Sequence, residues 1–256
     1  MEINNFRPYD CAFQEGGMCT DTKRPESDDE HEYAPLSYPN PDCKDHCRTH
    51  KYLTAMILES GIDSVKLTTK KLLPRAEDKD VFKRIKEIKN NPISFVDSGN
   101  NIFITSPHLQ NGRTTISLKI VNSYIWYQRK WAMPDVGWAR YVNIPELLID
   151  MENYSIKNSM DFKRKIDDIK KVKLVIWDDV TSQPLSVQQQ AFLNSMINAR
   201  FRDKKSNIFT GLAVTNIEET VGAILAQRLK SCEKLIITKK FRKSENISDE
   251  DKQYCL

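Results

Sequence analysis

Apolar and polar positions follow two rhythms along this chain, and the switch between them predicts its elements. Longer segments carry apolar residues at helical spacing; Leu193, Ile197 and Phe201 share one face of the segment 185–201. Between such segments lie short apolar runs at 101–105, 139–144, 173–180 and 206–214. Because strands that alternate with helices form mostly parallel sheets, we predict an α/β fold with helices on both faces of the sheet.

The remaining predicted helices fill the intervals between these runs and the segment upstream of them. Val81, Ile85 and Ile88 lie on one face of a predicted helix that "NNP" ends at residue 92. A further helix precedes Gly61, a residue that commonly follows a helix end. Within the α/β region, helices are predicted at 115–129, from 145, and at 159–172. The basic stretch at 66–80 contains a proline and no sustained period, which predicts a domain boundary near 70–80.

The segment 106–114, "SPHLQNGRT", joins the first strand to the following helix. A phosphate-binding loop in this position has the pattern G-x-x-x-x-G-K-S/T. Gly112 and Thr114 fit the pattern, whereas Pro107 replaces its first glycine and Arg113 replaces its lysine. By itself, the segment fits a diverged nucleotide site or an ordinary strand–turn–helix connection.

A pair of carboxylates ends the predicted strand "KLVIWDDV". Asp178 and Asp179 follow four apolar residues and Trp177, and parallel sheets bind their ligands at the carboxyl edge of the strands. Two acids in this place are typical of a Mg²⁺ site, and Thr114 is the candidate hydroxyl ligand. The alternative is that the aspartates only cap the next helix or begin a turn.

Four of the six cysteines lie in the first fifty residues: Cys11, Cys19, Cys43 and Cys47. Their spacing is C-x7-C and C-x3-C with 23 residues between the pairs, and two close pairs can complete a tetrahedral site. The segment is also poor in apolar residues, so that a metal would help it to fold. We predict Zn²⁺ with these four ligands, and His46 and His50 are possible substitutes. An iron–sulfur cluster and unliganded thiols are the alternatives.

The composition predicts a protein of the cytoplasm with no membrane partner. The chain is 39% hydrophobic and 29% charged, with a mean hydropathy of −0.56. No run approaches the ~18 apolar residues of a membrane span, and the N-terminus lacks the features of a secretion signal. Although the net charge is only +4, lysine and arginine cluster at 66–89, 200–205 and 239–243. These clusters favour a nucleic-acid partner, and the alternative is solvated helix faces.

Several of these segments, in this order and spacing, resemble DnaC/DnaI-type helicase loaders. The similar segments are "SPHLQNGRT", "LVIWDDV", "NIFTG" and "GAILAQRLKSCEKLI", and "YPNPDCKDHCRTHKYLTAMILESGI" resembles the cysteine-containing N-terminal region of phage and mobile-element versions. The resemblance covers about residues 8–245. It implies an AAA+ ATPase domain, a DnaB-family replicative helicase as partner, and assistance in loading that helicase onto single-stranded DNA.

The resemblance also implies roles for individual residues. Asp178 matches the acid that coordinates Mg²⁺, and Asp179 matches the residue that polarises the attacking water. Arg228 matches the arginine that reaches a neighbouring subunit's site, which implies a homo-oligomer. The ATP-binding set comprises Ser106, Pro107, Asn111, Gly112, Arg113, Thr114, Thr115, Asp178 and Asn216.

The chain departs from the family pattern at two places in this set. Pro107 has no N–H to offer a phosphate, and the planar fork of Arg113 is not equivalent to a lysine ammonium. Many relatives have an asparagine after the strand at 206–214, where this chain has Leu212, and Asn216 is only a possible substitute. Both departures predict weak ATP hydrolysis or nucleotide binding without turnover.

The domain prediction combines the pattern with the resemblance. It gives a zinc-binding helicase-interaction domain at 1–70, a linker helix at 71–92, an AAA+ domain at 93–245 and a tail at 246–256. Single-stranded DNA is expected to contact either the aromatic and basic segment 123–140 or the charged helix at 161–171. Two other functions stay open: a nucleotide-independent helicase adaptor or inhibitor, and a zinc-containing DNA-binding regulator.

Overall fold

The computed structural model describes residues 55–62, 72–128, 137–157, 160–239 and 256. Five strands carry the architecture: β1 (Asn101–Ser106), β2 (Ala139–Asn143), β3 (Leu174–Asp178), β4 (Ser206–Leu212) and β5 (Glu233–Ile236). The helices are α1 (Lys79–Asn90), α2 (Pro92–Asp97), α3 (Arg113–Gln128), α4 (Ile144–Lys157), α5 (Met160–Lys171), α6 (Val187–Arg202), α7 (Ile217–Val221) and α8 (Ala223–Ser231).

The five strands form one parallel sheet in the order β2-β3-β4-β1-β5. The central strands are almost entirely buried, as the uninterrupted apolar runs predict for a sheet covered on both sides. β1 lies between β4 and β5, so the strand that leads into the segment 106–114 is in the middle of the sheet. The predicted parallel α/β fold is confirmed.

Helices cover both faces of the sheet. Alternate residues of each strand point to opposite faces, so Ile102 and Ile104 join one core and Phe103 joins the other. The first core contains α1, α2 and α3, and the second contains α4, α5, α6 and α8. α3 is buried on nearly its whole circumference, which explains why its sequence is apolar on more than one side.

The segments on either side of the α/β region also contribute to the first core, which contains α1, α2 and α3. Helix α1, which we predicted as a linker, packs against α3 and buries Phe82, Ile85 and Ile88 in the first core. At the other end of the chain, Leu256 exchanges two backbone hydrogen bonds with Leu72 and is buried in the same core. The linker and the final residue of the predicted tail therefore pack with the α/β domain.

Arg200 organises the edge of the sheet opposite the segment 106–114. It is fully buried near the end of α6 and donates five hydrogen bonds to oxygen acceptors. Among these acceptors are the carbonyl groups of Ile169 and Val172, at the end of α5. Burial lowers the pKa of Arg200 to about 9. The side chain thereby satisfies carbonyl groups that the end of a helix leaves without partners.

In the part of the chain that the structure describes, no helix combines the length and apolar character needed to cross a membrane.

Candidate functional site

The segment 106–114 forms a loop at the carboxyl edge of the sheet, between β1 and the first turn of α3. The backbone turns through left-handed conformations at Gln110 (φ 55°) and Gly112 (φ 66°). Glycine adopts this conformation without the steric cost that a side chain imposes, which explains Gly112. The loop then leads into α3, which begins at Arg113. The backbone N–H groups in the first turn of a helix have no acceptor within the helix, and they are suited to bind an anion.

Internal hydrogen bonds hold this loop in place. Ser106 Oγ accepts the backbone N–H of His108 (3.1 Å) and the side-chain amide of Asn111 (2.8 Å). The same amide donates to the carbonyl group of Ile237 at 3.3 Å. The loop is therefore tied both to the end of β1 and to the chain beyond β5.

The acidic end of β3 lies directly beside the loop. Thr114 Oγ1 is 3.0 Å from each carboxylate oxygen of Asp178. Asp178 is 2% exposed and forms no ion pair with a described residue. Its hydrogen-bond partners among the described residues are neutral hydroxyl groups, so no protein cation competes with a ligand cation for this carboxylate. The loop and the acidic strand end, which are 64 residues apart in sequence, form one site.

Two further hydroxyl groups contact Asp178, and the sequence analysis did not identify either. Tyr141 in β2 donates to Oδ2 at 2.8 Å, and Thr210 in β4 donates to Oδ1. Thr210 Oγ1 also accepts the backbone N–H of Asp179 at 3.1 Å. In the sequence, Thr210 is noticeable only as a hydroxyl residue within the otherwise mostly apolar strand "NIFTGL". It lies opposite Asp178 because β4 is the neighbour of β3 in the sheet.

Asp179 faces the same site from a constrained backbone. Its φ of 59° is in the left-handed region, which aspartate tolerates better than most residues. Burial and the negative charge of Asp178 raise the pKa of Asp179, and the guanidinium of Arg113 opposes this effect. Such a backbone conformation is uncommon outside turns and functional sites.

Arg113 lies across the site with its guanidinium nearly buried. Nη1 donates to the carbonyl group of His108 at 2.8 Å, and Nη2 is 3.7 Å from Asp179 Oδ1. Nε is buried without a hydrogen-bond partner among the described residues, as is Asn111 Oδ1. A planar fork thus joins the loop to the second aspartate, where the family pattern has a lysine.

Pro107, Thr115 and Asn216, which we also predicted to bind ATP, lie in three different parts of the structure. Pro107 is exposed in the loop, and Thr115 is half-buried in the first turn of α3. Asn216 caps α7, where its side chain accepts the N–H of Glu219 at 3.4 Å. The structure therefore gives the Oδ1 of Asn216 a local capping role, and the role of this residue in nucleotide binding stays a prediction.

Arg228 lies at the opposite edge of the sheet. It donates to Asn198 Oδ1 at 2.9 Å and stacks over Phe201, near the end of α6. Because α6 and α8 end where β4 and β5 begin, this contact is distant from the carboxyl edge that carries Asp178. Arg228 does not take part in the site of its own chain.

The structure describes parts of the predicted DNA-binding segments, but not the cysteines that we predicted as zinc ligands. Cys11, Cys19, Cys43 and Cys47 lie outside the described residues, and within the described ranges no group of metal-ligating side chains occurs. Within the segment 123–140, Tyr124 is fully buried in the core and is therefore not available to stack on a DNA base. Helix α5 instead exposes its basic side chains, including Lys163 and Arg164.

Comparison with known proteins gives similarity in structure alone. No family model and no curated protein matches the sequence. The DnaC helicase loader is 14% identical with a TM-score of 0.53, over 67% of this chain and 95% of that chain. AMPPCP-bound DnaA from Aquifex aeolicus is 17% identical with a TM-score of 0.53, over 67% of this chain and 49% of that chain.

Domain III of the Thermotoga maritima replication initiation protein DnaA is also 17% identical. Its TM-score is 0.53, over 66% of this chain and 65% of that chain. At these identities the likeness establishes the fold. The described part of this chain therefore has the AAA+ fold of the DnaC helicase loader and of DnaA domain III.

Proposed function

We propose that this chain is an AAA+ helicase loader that binds ATP with Mg²⁺ and hydrolyses it slowly. In this proposal it binds a DnaB-family replicative helicase through its N-terminal region and helps to place that helicase on single-stranded DNA. The fold that it shares with the DnaC helicase loader supports the replication role. The site at the carboxyl edge of the sheet supports the role of the nucleotide.

One contact carries the nucleotide proposal, and it is the approach of Thr114 to Asp178. A hydroxyl at the start of a helix and a buried carboxylate at a strand end are the protein groups that complete a Mg²⁺ shell beside a triphosphate. The two proposed metal ligands, Thr114 and Asp178, both offer oxygen, which Mg²⁺ prefers. Neither forms an ion pair with a cationic side chain among the described residues. Thr114 and Asp178 would hold the ion, and its charge would neutralise phosphate oxygens.

The groups of the loop also fit a phosphate ligand. The first turn of α3 presents backbone N–H groups, and Arg113 Nε is a buried donor without a partner among the described residues. A guanidinium already bonded to the His108 carbonyl group can bind phosphate only after rearranging or through its remaining N–H groups. We therefore expect binding that is weaker than in lysine-containing relatives.

Slow hydrolysis follows from the position of Arg113 relative to Asp179. A carboxylate that polarises water must accept a hydrogen bond from that water. Here the guanidinium of Arg113 competes for the same carboxylate at 3.7 Å. The Oδ1 of Asn216 accepts a hydrogen bond in the cap of α7, and only the NH2 group of this amide could face a γ-phosphate. The site would hold a nucleotide without cleaving it efficiently.

The other proposed partners depend on surfaces away from this site. The exposed basic residues of α5 are the candidate contact for single-stranded DNA. The proposed homo-oligomer rests on the resemblance, which implies that Arg228 reaches a neighbouring subunit's site. For that role, Arg228 would have to leave its hydrogen bond to Asn198 within its own chain. The N-terminal cysteines remain the proposed Zn²⁺ ligands and the proposed helicase contact. An iron–sulfur cluster or free thiols are the alternatives that metal analysis of the purified protein would identify.

The decisive experiment measures nucleotide binding and helicase binding on the same preparation. Titration with a fluorescent ATP analogue, with and without Mg²⁺, should give binding that depends on the metal. Co-purification with candidate DnaB-family helicases should succeed and should respond to ATP. Helicase binding without any nucleotide binding would favour a nucleotide-independent adaptor, for which the engaged Arg113 fork is the supporting observation. Absence of helicase binding would contradict the loader proposal.

A further inference from the structure

The segment 55–62 docks on the outer edge of the sheet. It precedes the α/β domain, and it buries Met56, Ile57 and Ile62 in the core that also contains α1 and α3. β2 is an edge strand, and the backbone N–H of Tyr141 in this strand donates to the carbonyl group of Ser60 at 2.6 Å. The segment thus supplies a partner for a strand edge that would otherwise be open.

Arg140 fixes the same segment through its side chain. Its guanidinium donates to the backbone carbonyl group of Glu59, and it forms ion pairs with Glu59 (3.0 Å) and with Asp168 of α5 (3.3 Å). The side chain of Arg140 is only 11% exposed, so these charge-assisted bonds are largely shielded from solvent. The position of the segment is therefore coupled to that of β2 and α5.

The next residue along β2 makes the connection to the nucleotide site. The same Tyr141 whose N–H contacts Ser60 donates its hydroxyl proton to Asp178 Oδ2 at 2.8 Å. A tyrosine ring is rigid between its backbone and its hydroxyl group. A displacement of the β2 backbone at this residue therefore moves the hydroxyl away from the carboxylate.

We propose that Tyr141 is a positioning residue that links the docking of segment 55–62 to metal–nucleotide binding at Asp178. This inference rests on the proposed function and adds a regulatory input to it. When the segment is docked, the hydroxyl fixes the orientation of the carboxylate that would hold Mg²⁺. Release of the segment withdraws that support. Since linkage is reciprocal, metal–nucleotide binding also favours the docked segment.

The consequence is a route from the N-terminal region to the nucleotide site within one chain. The cysteine-bearing residues 1–54 lead directly into the docked segment. A partner that binds these residues and pulls the segment from β2 would weaken binding at Asp178. A partner that holds the segment in place would strengthen it.

The test uses the full chain and compares Tyr141→Phe with Tyr127→Phe. Tyr127 is the matched control, since its hydroxyl also donates to an oxygen, the carbonyl group of Asn90, but at the opposite end of α3 from Thr114. We expect Tyr141→Phe to raise the Mn²⁺ concentration needed for half-maximal binding of a fluorescent ATP analogue about tenfold. Metal-free nucleotide binding should be unchanged, and Tyr127→Phe should behave like the wild type. Equal losses with and without metal, or no loss, would overturn the positioning role.

Hydrogen exchange supplies the second readout. In the wild type, Mg²⁺ with AMPPCP should slow amide exchange in residues 55–62 about fivefold, and Tyr141→Phe should abolish this response. A nucleotide that binds without changing exchange in this segment would contradict the linkage while leaving the proposed function intact.

An experiment without nucleotide separates the two failures. Asp178→Ala should accelerate exchange in residues 55–62 in the wild-type background and should have no added effect in the Tyr141→Phe background. This non-additivity would support the link even if the chain binds no nucleotide. Additive effects would contradict the link whatever the nucleotide does.

Discussion

Thr114 at the start of α3 and Asp178 at the end of β3 are in hydrogen-bond contact, with 3.0 Å from the hydroxyl to each carboxylate oxygen. The two residues are 64 positions apart in the sequence, and their contact brings the loop and the end of β3 into one site. It also distinguishes Asp178 from a residue that merely caps the next helix, because the cap of α6 is Ser186.

Thr114→Val should weaken metal-dependent nucleotide binding about tenfold. Valine preserves the shape of the side chain but removes the hydroxyl that faces Asp178 and the metal. Titration with a fluorescent ATP analogue at several Mg²⁺ concentrations measures the effect. Ser195→Ala is the control, since it removes a hydroxyl from α6 that bonds only to its own helix. Equal affinity of Thr114→Val and the wild type would argue against a metal at this place.

Arg113→Lys should increase the rate of ATP hydrolysis about tenfold. Lysine keeps the positive charge, but it cannot bridge the His108 carbonyl group and Asp179 with a planar fork, so Asp179 becomes free to orient water. Phosphate release under saturating ATP measures the rate, and Arg113→Lys/Asp179→Ala should abolish the gain. If the wild type already turns over rapidly and loses this activity in Asp179→Ala, the proposal of a slow site is wrong.

Asp179→Asn should stabilise the folded chain at neutral pH. Burial and Asp178 raise the pKa of Asp179 in the folded state, so the folded protein binds the proton more tightly than the unfolded chain does. Wild-type stability should therefore decrease as the pH rises from the ordinary pKa of aspartate, 3.8, through the raised value. The advantage of the variant should vanish at lower pH, and asparagine tolerates the positive φ. Urea unfolding across this range measures the difference, and a pH-independent difference would contradict it.

Arg200→Met should destabilise the domain by about 3–5 kcal/mol. Methionine fills much of the volume but leaves carbonyl groups of Ile169, Val172 and Ser206 without their donor. Urea unfolding measures the free energy. Arg202→Met is the control on the same helix, where an exposed arginine should contribute less than about 0.5 kcal/mol. Similar stability of the two variants would show that the buried guanidinium is replaceable.

Charge reversal on α5 tests the proposed DNA surface. Lys163→Glu/Arg164→Glu should weaken binding to single-stranded DNA about tenfold and reduce the salt dependence of that binding, because fewer counterions are released. Lys83→Glu/Lys234→Glu makes the same change in net charge on α1 and β5 and serves as the control. A similar loss in both pairs would indicate a general charge effect and would exclude α5 as the specific contact.

Much of the fold was predictable because local patterns encode it. The buried runs became β1, β3 and β4, and the alternation with helices gave a parallel sheet. The meeting of the segment 106–114 with the paired aspartates also followed from a general rule, since parallel strands place their carboxyl ends on one edge. The exact beginning of α3 and the short helix α2 did not follow. The predicted helix end before Pro92 is confirmed, since α1 ends at Asn90, but Pro92 also begins α2, which the sequence did not predict.

The rest of the site could not be predicted, because it depends on which strands are neighbours. Tyr141 and Thr210 are ordinary β-strand residues in the sequence, and they reach Asp178 only because β2 and β4 flank β3. Asn216, a candidate ligand by its sequence position, is used locally as a helix cap. The spacing of apolar and polar residues does not distinguish a side chain that reaches Asp178 from one that caps a helix.

The α/β class, the loop at 106–114 and the acidic strand end could be read from short segments, because periodicity and residue chemistry are local properties. The contact of Arg113 with Asp179, the place of Arg228 at the opposite edge and the contacts of Tyr141 with both Ser60 and Asp178 became known only from the folded domain. The physical reason is that these contacts join segments distant along the chain. Their distances are fixed by strand order and by the packing of two cores, which no short window of sequence contains.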